Sequence, residues 1–238
     1  MGLGDNSGLV PRFCDEMFST ALKKSQRHKH VSYHIQVSYF EIYNEKIHDL
    51  LTSNAQNPSA SVADDASAKP NLRVREHPDD GPYVDGLSNF IVASFSDVQA
   101  WLKVGNRQRA TAATGMNDKS SRSHSVFTIT MTETTIEDLE GEKHETVKRS
   151  LINLVDLAGS ERLSKSSTTG QRMKEGASIN TSLLTLGKVI SALSARSKLS
   201  GKRKKQLFIP YRDSTLTWIL RESLGGNSRT AMIATVSP

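Results

Sequence analysis

Residues Leu151–Arg162 read LINLVDLAGSER. An apolar run ends in Asp156, a turn of small residues follows, and Glu161 comes next. The run predicts a buried strand, and in open α/β sheets ligands lie beyond the carboxyl ends of the strands. Asp156 can therefore hold Mg²⁺ through a water, and Gly159, lacking a Cβ, lets its N–H approach a phosphate. Alone, D-x-x-G is equally typical of an ordinary strand-ending turn.

The rest of the chain mixes helix and strand patterns. Because apolar positions recur with helical or alternating periods, an α/β layered domain is predicted. The predicted helices are Gly8–Ser25, Ser96–Arg107, Ser178–Arg196 and about Ser214–Glu222. The predicted strands are Val31–Tyr43, the pair NLRVREH and GPYVDGL, the hairpin of His124–Thr135 and Thr146–Asp156 with a long tip, and the final TAMIATVS.

Composition excludes some classes of protein. The 238 residues are 36% hydrophobic and 24% charged, which is ordinary for a globular chain. A single cysteine, Cys14, rules out an internal disulfide and favours a reducing compartment. There is no apolar run of about 18 residues and no signal-peptide core, so we expect a cytosolic or nuclear protein.

Positive charge is concentrated in one segment. Arg196–Arg212, RSKLSGKRKKQLFIPYR, contains basic residues and no acidic one. Such a segment attracts an anionic surface, whether nucleic acid, lipid or acidic protein. A solvated lysine run is the alternative.

A second polar motif is Asn117–His124, NDKSSRSH. Ser120 and Ser121 can offer oxygens to a metal, and Arg122 can pair with a carboxylate or phosphate in bidentate fashion. For an isolated octapeptide, a serine-rich turn with local capping bonds remains the simpler interpretation.

NDKSSRSH followed by LVDLAGSER closely resembles switch I and switch II of kinesin motor domains. SYFEIYNEKIHDLL, GASINTSLLTLGKVISAL and IPYRDSTLTWILRESLGGNSRTAMIATVSP resemble further kinesin segments in the right order. The resemblance runs almost from end to end. NLRVREH, GPYV and the lysine-rich segment are most similar to the kinesin-three branch.

The resemblance implies an α/β three-layer P-loop NTPase motor fold, with a central mixed sheet and helices on both faces. The chain would be one partial motor domain, 1–238, representing roughly the last two thirds. Its expected segments are switch I (117–124), switch II (156–161), a low-complexity surface loop (52–70) and a microtubule-binding helix and basic loop (178–212).

The resemblance also implies roles for single residues at the nucleotide. Ser121 and, through a water, Asp156 would hold Mg²⁺, while Gly159 would donate its amide to the γ-phosphate. Arg122 and Glu161 would form the ion pair that closes the switches. The remaining expected positions are Asn117 and Ser120 at the nucleotide and Asn180 as the coupling asparagine.

Microtubules are the partner that the resemblance implies, which would place the chain at the cytoskeleton in the cytoplasm. Neither a membrane nor a nucleic acid is expected to bind this segment, and oligomerisation would use regions outside it. Thr181 departs from the lysine common in the family. The expected microtubule contacts are Lys188, Arg196, Lys198, Lys202, Arg203, Lys204, Lys205, Arg212 and Arg221.

The phosphate-binding pattern G-x-x-x-x-G-K-[ST] does not occur in these residues. We therefore expect ATP and Mg²⁺ to be used by a complete domain that also has the preceding P-loop segment and the following neck region. The chain alone is predicted to bind microtubules without hydrolysing ATP or binding it tightly. The alternative is a non-enzymatic microtubule-binding protein that has lost the P-loop. A nucleic-acid binder rests on charge alone.

Overall fold

The fold divides into two compact units, which are treated separately. One consists of Met1–Glu41, His48–Lys69 and Leu87–Leu157, and the other of Ile42–Ile47, Pro70–Gly86 and Ala158–Pro238. The computed structural model describes residues 8–52, 72–111, 122–139, 142–160, 171–201 and 206–234, without side chains for 171–180.

The first unit is built on a five-stranded sheet with strand order β2-β1-β6-β7, in which β5 also pairs with β1. A two-residue turn with positive φ at Asn44 and Glu45 joins β1 to β2, and the residues around it, Ile42–Ile47, belong to the second unit. Helices α1 and α2 complete the first unit. The elements are α1 (Leu9–Arg27), β1 (Val31–Tyr43), β2 (Lys46–Asp49), β5 (Phe90–Ile91), α2 (Phe95–Thr111), β6 (His124–Leu139) and β7 (Glu142–Asp156).

The core of this unit forms where alternating strand residues meet the helices. Val37, Tyr39, Phe127 and Ile129 are buried on β1 and β6, together with apolar residues of α2. Cys14 of α1 is in the same core, and burial raises the pKa of its thiol to about 11. The predicted strand Val31–Tyr43 and both predicted helices of this unit are confirmed within four residues at each end.

The hairpin of β6 and β7 has no long tip, so that prediction is wrong. Pairing runs without interruption from Ser125 opposite Asp156 to Leu139 opposite Glu142. The polar stretch is strand, and opposite charges face each other within it, as Asp138 faces Lys143. Such cross-strand pairs stabilise a sheet.

Strand β7 is not buried, which corrects the second prediction for this hairpin. Leu151 and Val147 are exposed, and Ile152 and Leu154 are half-buried. In the described sheet β7 lies at one end of the strand order. A strand at the end of a sheet pairs with a neighbour on one side only, so an apolar sequence is not enough to bury it.

The second unit combines a small hairpin with helices. Its core includes Leu186 and Val189 of α3 and Leu216 and Leu220 near the chain's last helices. Ser214 caps α4, accepting a hydrogen bond from the Thr217 amide at 3.4 Å. The elements are β3 (Arg73–His77) and β4 (Gly81–Asp85), which pair antiparallel, α3 (Gln171–Ser197), a 3₁₀ turn (Tyr211–Asp213), α4 (Thr215–Ile219) and α5 (Arg221–Gly225).

Three predictions for this unit differ from the structure. Helix α3 begins at Gln171 rather than Ser178. The prediction missed its first turns because they are polar and show no apolar period. The predicted helix Ser214–Glu222 is two short helices that meet at Leu220. The predicted strand TAMIATVS is wrong over its described part: residues 228–234 form neither helix nor strand and leave Met232 and Ile233 exposed. A strand requires a pairing partner, and no described strand pairs with this segment.

Among the described residues, no helix is both long and apolar enough to cross a bilayer.

Candidate functional site

Asp156 lies at the end of β7, where the sequence predicted a carboxylate. The β6–β7 register places it opposite Ser125, and half of its side chain (50%) is exposed. The carboxylate therefore combines a fixed backbone position with access to solvent. Both properties suit a residue that contacts a hydrated ion.

Arg109 is the principal partner of Asp156, and sequence reasoning missed it. It comes from the last turn of α2, and only 13% of its side chain is exposed. Its Nη1 donates to Asp156 Oδ2 at 3.1 Å and to Ser125 Oγ at 3.1 Å, and its Nη2 donates to the Ser123 carbonyl at 3.2 Å. One guanidinium thus joins the residues at the start of β6 to the carboxylate at the end of β7.

Close packing between α2 and β1 places Arg109 there. Gly105 lies one turn before Arg109, and a Cβ at Gly105 would overlap the ring of Tyr39. The Tyr39 hydroxyl donates to Asn106 Oδ1 at 3.1 Å, and its ring meets Phe127 edge-on at 5.5 Å between centroids. The glycine therefore lets the helix approach the sheet closely enough for Arg109 to reach β7.

Ser123 and His124 are buried beside this ion pair. Desolvation lowers the pKa of His124 to about 4, assisted by the nearby Arg109 guanidinium and opposed by Asp156. The Ser123 hydroxyl is buried without a hydrogen-bond partner in the described part of the chain. A hydroxyl without a partner can offer its oxygen to a ligand, and the Asp156 carboxylate is a group that fits Mg²⁺.

The predicted switch residues are only partly described. Arg122 is half-buried at the start of the segment leading into β6, in the first unit, and Gly159 is half-buried in the second unit. The ion pair of Arg122 with Glu161 stays a prediction. Outside the described residues lie Asn117, Ser120, Ser121 and Glu161.

The second unit carries five described residues of the predicted microtubule contact, together called the basic face: Lys188, Arg196, Lys198, Arg212 and Arg221. Lys188, Lys198 and Arg212 are exposed, whereas Arg196 and Arg221 are half-buried. The Asn180 backbone is helical within α3, and its side chain is not described. The other predicted basic contacts, Lys202, Arg203, Lys204 and Lys205, lie outside the described residues.

Two arginines of the basic face converge on one carboxylate. Glu76, on β3, accepts from Arg212 Nη2 at 2.6 Å through Oε2 and from Arg221 Nη1 through Oε1. Hydrogen bonds from Arg221 and then Arg212 lower the pKa of Glu76 to about 2. No sequence pattern indicates this cluster, because β3 and α5 are far apart in the chain.

Comparison with known proteins places these features in one class, the kinesin motor domain, whose family model matches residues 1–238. Kinesin-like protein KIF14 of Mus musculus is 61% identical over the whole chain, and KIF13B of Homo sapiens is 49% identical. The chain spans only 13% and 12% of these two relatives.

Solved structures agree with the sequence comparison. The chain resembles KIF14 with AMP-PNP in complex with a microtubule, with a TM-score of 0.81 and 59% identity, covering 100% of this chain and 61% of that one. It also resembles a fast kinesin, with a TM-score of 0.74 and 40% identity, covering 96% of this chain and 57% of that one. The chain belongs to the kinesin motor domain family and its kinesin-three-like branch, which confirms the α/β motor fold.

Proposed function

We propose that this chain is part of a microtubule motor whose complete motor domain couples ATP hydrolysis to movement along microtubules. The observation that carries the proposal is the Arg109–Asp156 ion pair at the end of β7, which holds the carboxylate that we propose begins switch II. It is supported by the kinesin family match and by relatives whose structures were solved on microtubules. Such a chain works at the microtubule cytoskeleton in the cytoplasm.

The nucleotide role of the first unit follows from its charges. Phosphoryl transfer depends on positioning and on stabilising charge rather than on covalent chemistry. Asp156 and Ser121 would hold Mg²⁺, which, when bound, neutralises phosphate charge. Arg109 keeps the Asp156 carboxylate oriented at the end of its strand, through a hydrogen bond of 3.1 Å.

The switch residues complete this part of the proposal. Gly159 donates its amide to the terminal phosphate, and Asn117 and Ser120 line the nucleotide. Arg122 and Glu161 form the ion pair that closes around the nucleotide. Asn180, within α3, couples this pair to the helix. A pair formed only with nucleotide bound is a two-state element able to move a helix.

The basic face of the second unit is the proposed microtubule contact. Tubulin presents an acidic surface, so Lys188, Lys198 and Arg212 attract it before contact and strengthen binding at low salt. The lysine-rich residues 202–205 extend the same contact. The association is therefore expected to weaken as ionic strength rises.

Cosedimentation with microtubules tests the proposal. The 238-residue chain is expected to pellet with microtubules at low salt and to be released by added salt. Salt-sensitive binding that ignores nucleotide is expected both of a motor segment without its P-loop and of the non-enzymatic alternative, whereas binding that changes with ATP or ADP supports the motor. Absence of pelleting at any salt concentration contradicts both.

ATP turnover is a separate measurement. The chain alone is expected to hydrolyse no ATP above background with or without microtubules, because the loop that cradles the α- and β-phosphates does not occur in its residues. Microtubule-stimulated turnover by the purified chain would contradict this part of the proposal.

A further inference from the structure

Glu76 and its partners form a compact group of four charges at the surface of the second unit. Besides Glu76, Arg221 contacts Glu222 at 2.9 Å, so two guanidinium groups meet two carboxylates. Their formal charges cancel. Two of the basic-face residues therefore approach any acidic partner with their charge already compensated.

The two arginines differ in how accessible they are. The Arg212 side chain is 69% exposed and that of Arg221 is 29% exposed, while Glu76 is 30% exposed. Arg221 is held from two sides by carboxylates. Arg212 has one carboxylate partner among the described ion pairs, so an incoming carboxylate can reach it from solvent.

Packing around the cluster sets where the Arg212 guanidinium lies. Its Cζ is 5.2 Å from the centre of the Trp218 ring, so the guanidinium lies near the aromatic ring of α4 as well as Glu76. Glu222 packs on the turn that begins β4, with its Cγ 3.0 Å from where a Cβ of Gly81 would be. The hairpin of β3 and β4 is thus held to α5, and Glu76 is held in place between the arginines.

We propose that Glu76 is a positioning residue that holds Arg212 and Arg221 as a compensated group, gives up Arg212 when an acidic surface binds, and thereby limits the affinity of the basic face. The naming of that surface as the microtubule rests on the proposed function. An exposed ion pair contributes little stability, so a partner's carboxylate can replace Glu76 at Arg212 at small cost. Because Glu76 has to be displaced from Arg212 first, it weakens the binding that the lysines and arginines would otherwise give.

Glu76→Gln is the decisive variant, because glutamine keeps the shape and an acceptor while removing the charge. Asp79→Asn is its matched control: it makes the same change of charge at an exposed position of the same hairpin. Microtubule cosedimentation over a series of salt concentrations measures both. Glu76→Gln is expected to bind about three- to tenfold more tightly at low salt and with a steeper salt dependence, and Asp79→Asn less than twofold more tightly.

A second substitution distinguishes release of Arg212 from a general charge effect. Adding Arg212→Gln to Glu76→Gln is expected to abolish most of the gain, because the released group is then absent. The proposal is overturned if Glu76→Gln binds no more tightly than Asp79→Asn, or if the gain survives loss of Arg212. If circular dichroism shows that Glu76→Gln does not fold, Glu76→Asp takes its place, because aspartate is too short to reach both arginines. Glu76→Asp is expected to give a smaller gain in binding, and the absence of any gain overturns the proposal.

Retention on immobilised poly-L-glutamate separates this inference from the proposed function. If the wild-type chain ignores microtubules while Glu76→Gln is retained more strongly on the polymer than Asp79→Asn, the proposed function fails and the inference stands. If the wild-type chain binds microtubules and Glu76→Gln gains on neither support, the function stands and the inference fails.

Discussion

Two arginine clusters, one in each unit, use the same chemistry in opposite surroundings. In the first unit Arg109 is 13% exposed and donates to a carboxylate, a hydroxyl and a backbone carbonyl. In the second unit Arg212 is 69% exposed and shares Glu76 with Arg221. A buried guanidinium with several partners holds a backbone position, whereas an exposed one can exchange its partner. The first cluster therefore holds the end of a strand in place, and the second leaves an exposed guanidinium that can change its partner.

The packing that supports the buried cluster gives the largest expected effect. Gly105→Ala places a methyl group against the Tyr39 ring, so α2 has to move away from the sheet. We expect a loss of about 3 kcal/mol in the free energy of unfolding, since overpacking a tight contact outweighs the better helix propensity of alanine. Urea unfolding measures it. Gly187→Ala, at a helical position with open space around it, is the control, and an equal effect of the two would contradict the argument.

Removing the buried guanidinium itself is the next test. Arg109→Ala leaves Asp156, Ser125 and the Ser123 carbonyl without this donor, and we expect a loss of about 2 kcal/mol, discounted because Asp156 is half exposed. Arg75→Ala breaks the exposed 2.5 Å ion pair with Asp85, in which the Arg75 side chain is 62% exposed. It is expected to lower the free energy of unfolding by about 0.5 kcal/mol or less. Unfolding midpoints of the two variants should differ clearly. Equal losses would show that burial does not separate the clusters.

The third test is the dependence of stability on pH. The pKa of His124 is lowered to about 4 in the folded state from an ordinary value of 6.5, mainly by burial. Below pH 6.5 the unfolded chain takes up a proton that the folded chain refuses, so stability falls as the pH drops towards 4. Between pH 7 and pH 5 we expect a loss of about 1 to 2 kcal/mol.

Comparing variants across this pH range isolates the histidine. His124→Gln should lower stability at pH 7 but flatten the decline between pH 7 and pH 5. His144→Gln, at an exposed position of β7, controls for the loss of an imidazole. A decline in His124→Gln as steep as that of the wild type would assign the pH dependence to other groups.

Local features of this fold could be predicted because they are written in neighbouring residues. The period-two pattern of β1 predicted its bounds, and the sequence NDKSSRSH with LVDLAGSER indicated the family that the comparisons confirm. The tip of the β6–β7 hairpin was mispredicted because polar residues suggested a loop. Only the pairing partner across the strand showed that their charges match.

The candidate sites depended on contacts between distant residues. Asp156 was correctly placed at the end of its strand, but Arg109, 47 positions earlier, was not foreseen. The basic residues were recognised from their charge, yet Glu76 compensates Arg212 from 136 positions away. No periodicity or motif links such pairs, because the register of strands and the packing of helices decide which side chains meet.

Sequence patterns were enough to predict most of the helices and strands, the kinesin family and the excess of positive charge around α3. Only the three-dimensional contacts show that Arg109 holds Asp156, that β7 lies at one end of the described sheet with exposed apolar residues, and that Glu76 compensates two arginines. Local structure follows from the backbone preferences and spacing of adjacent residues. Burial and ion pairing follow from which surfaces the fold brings together, and that is a property of the whole chain.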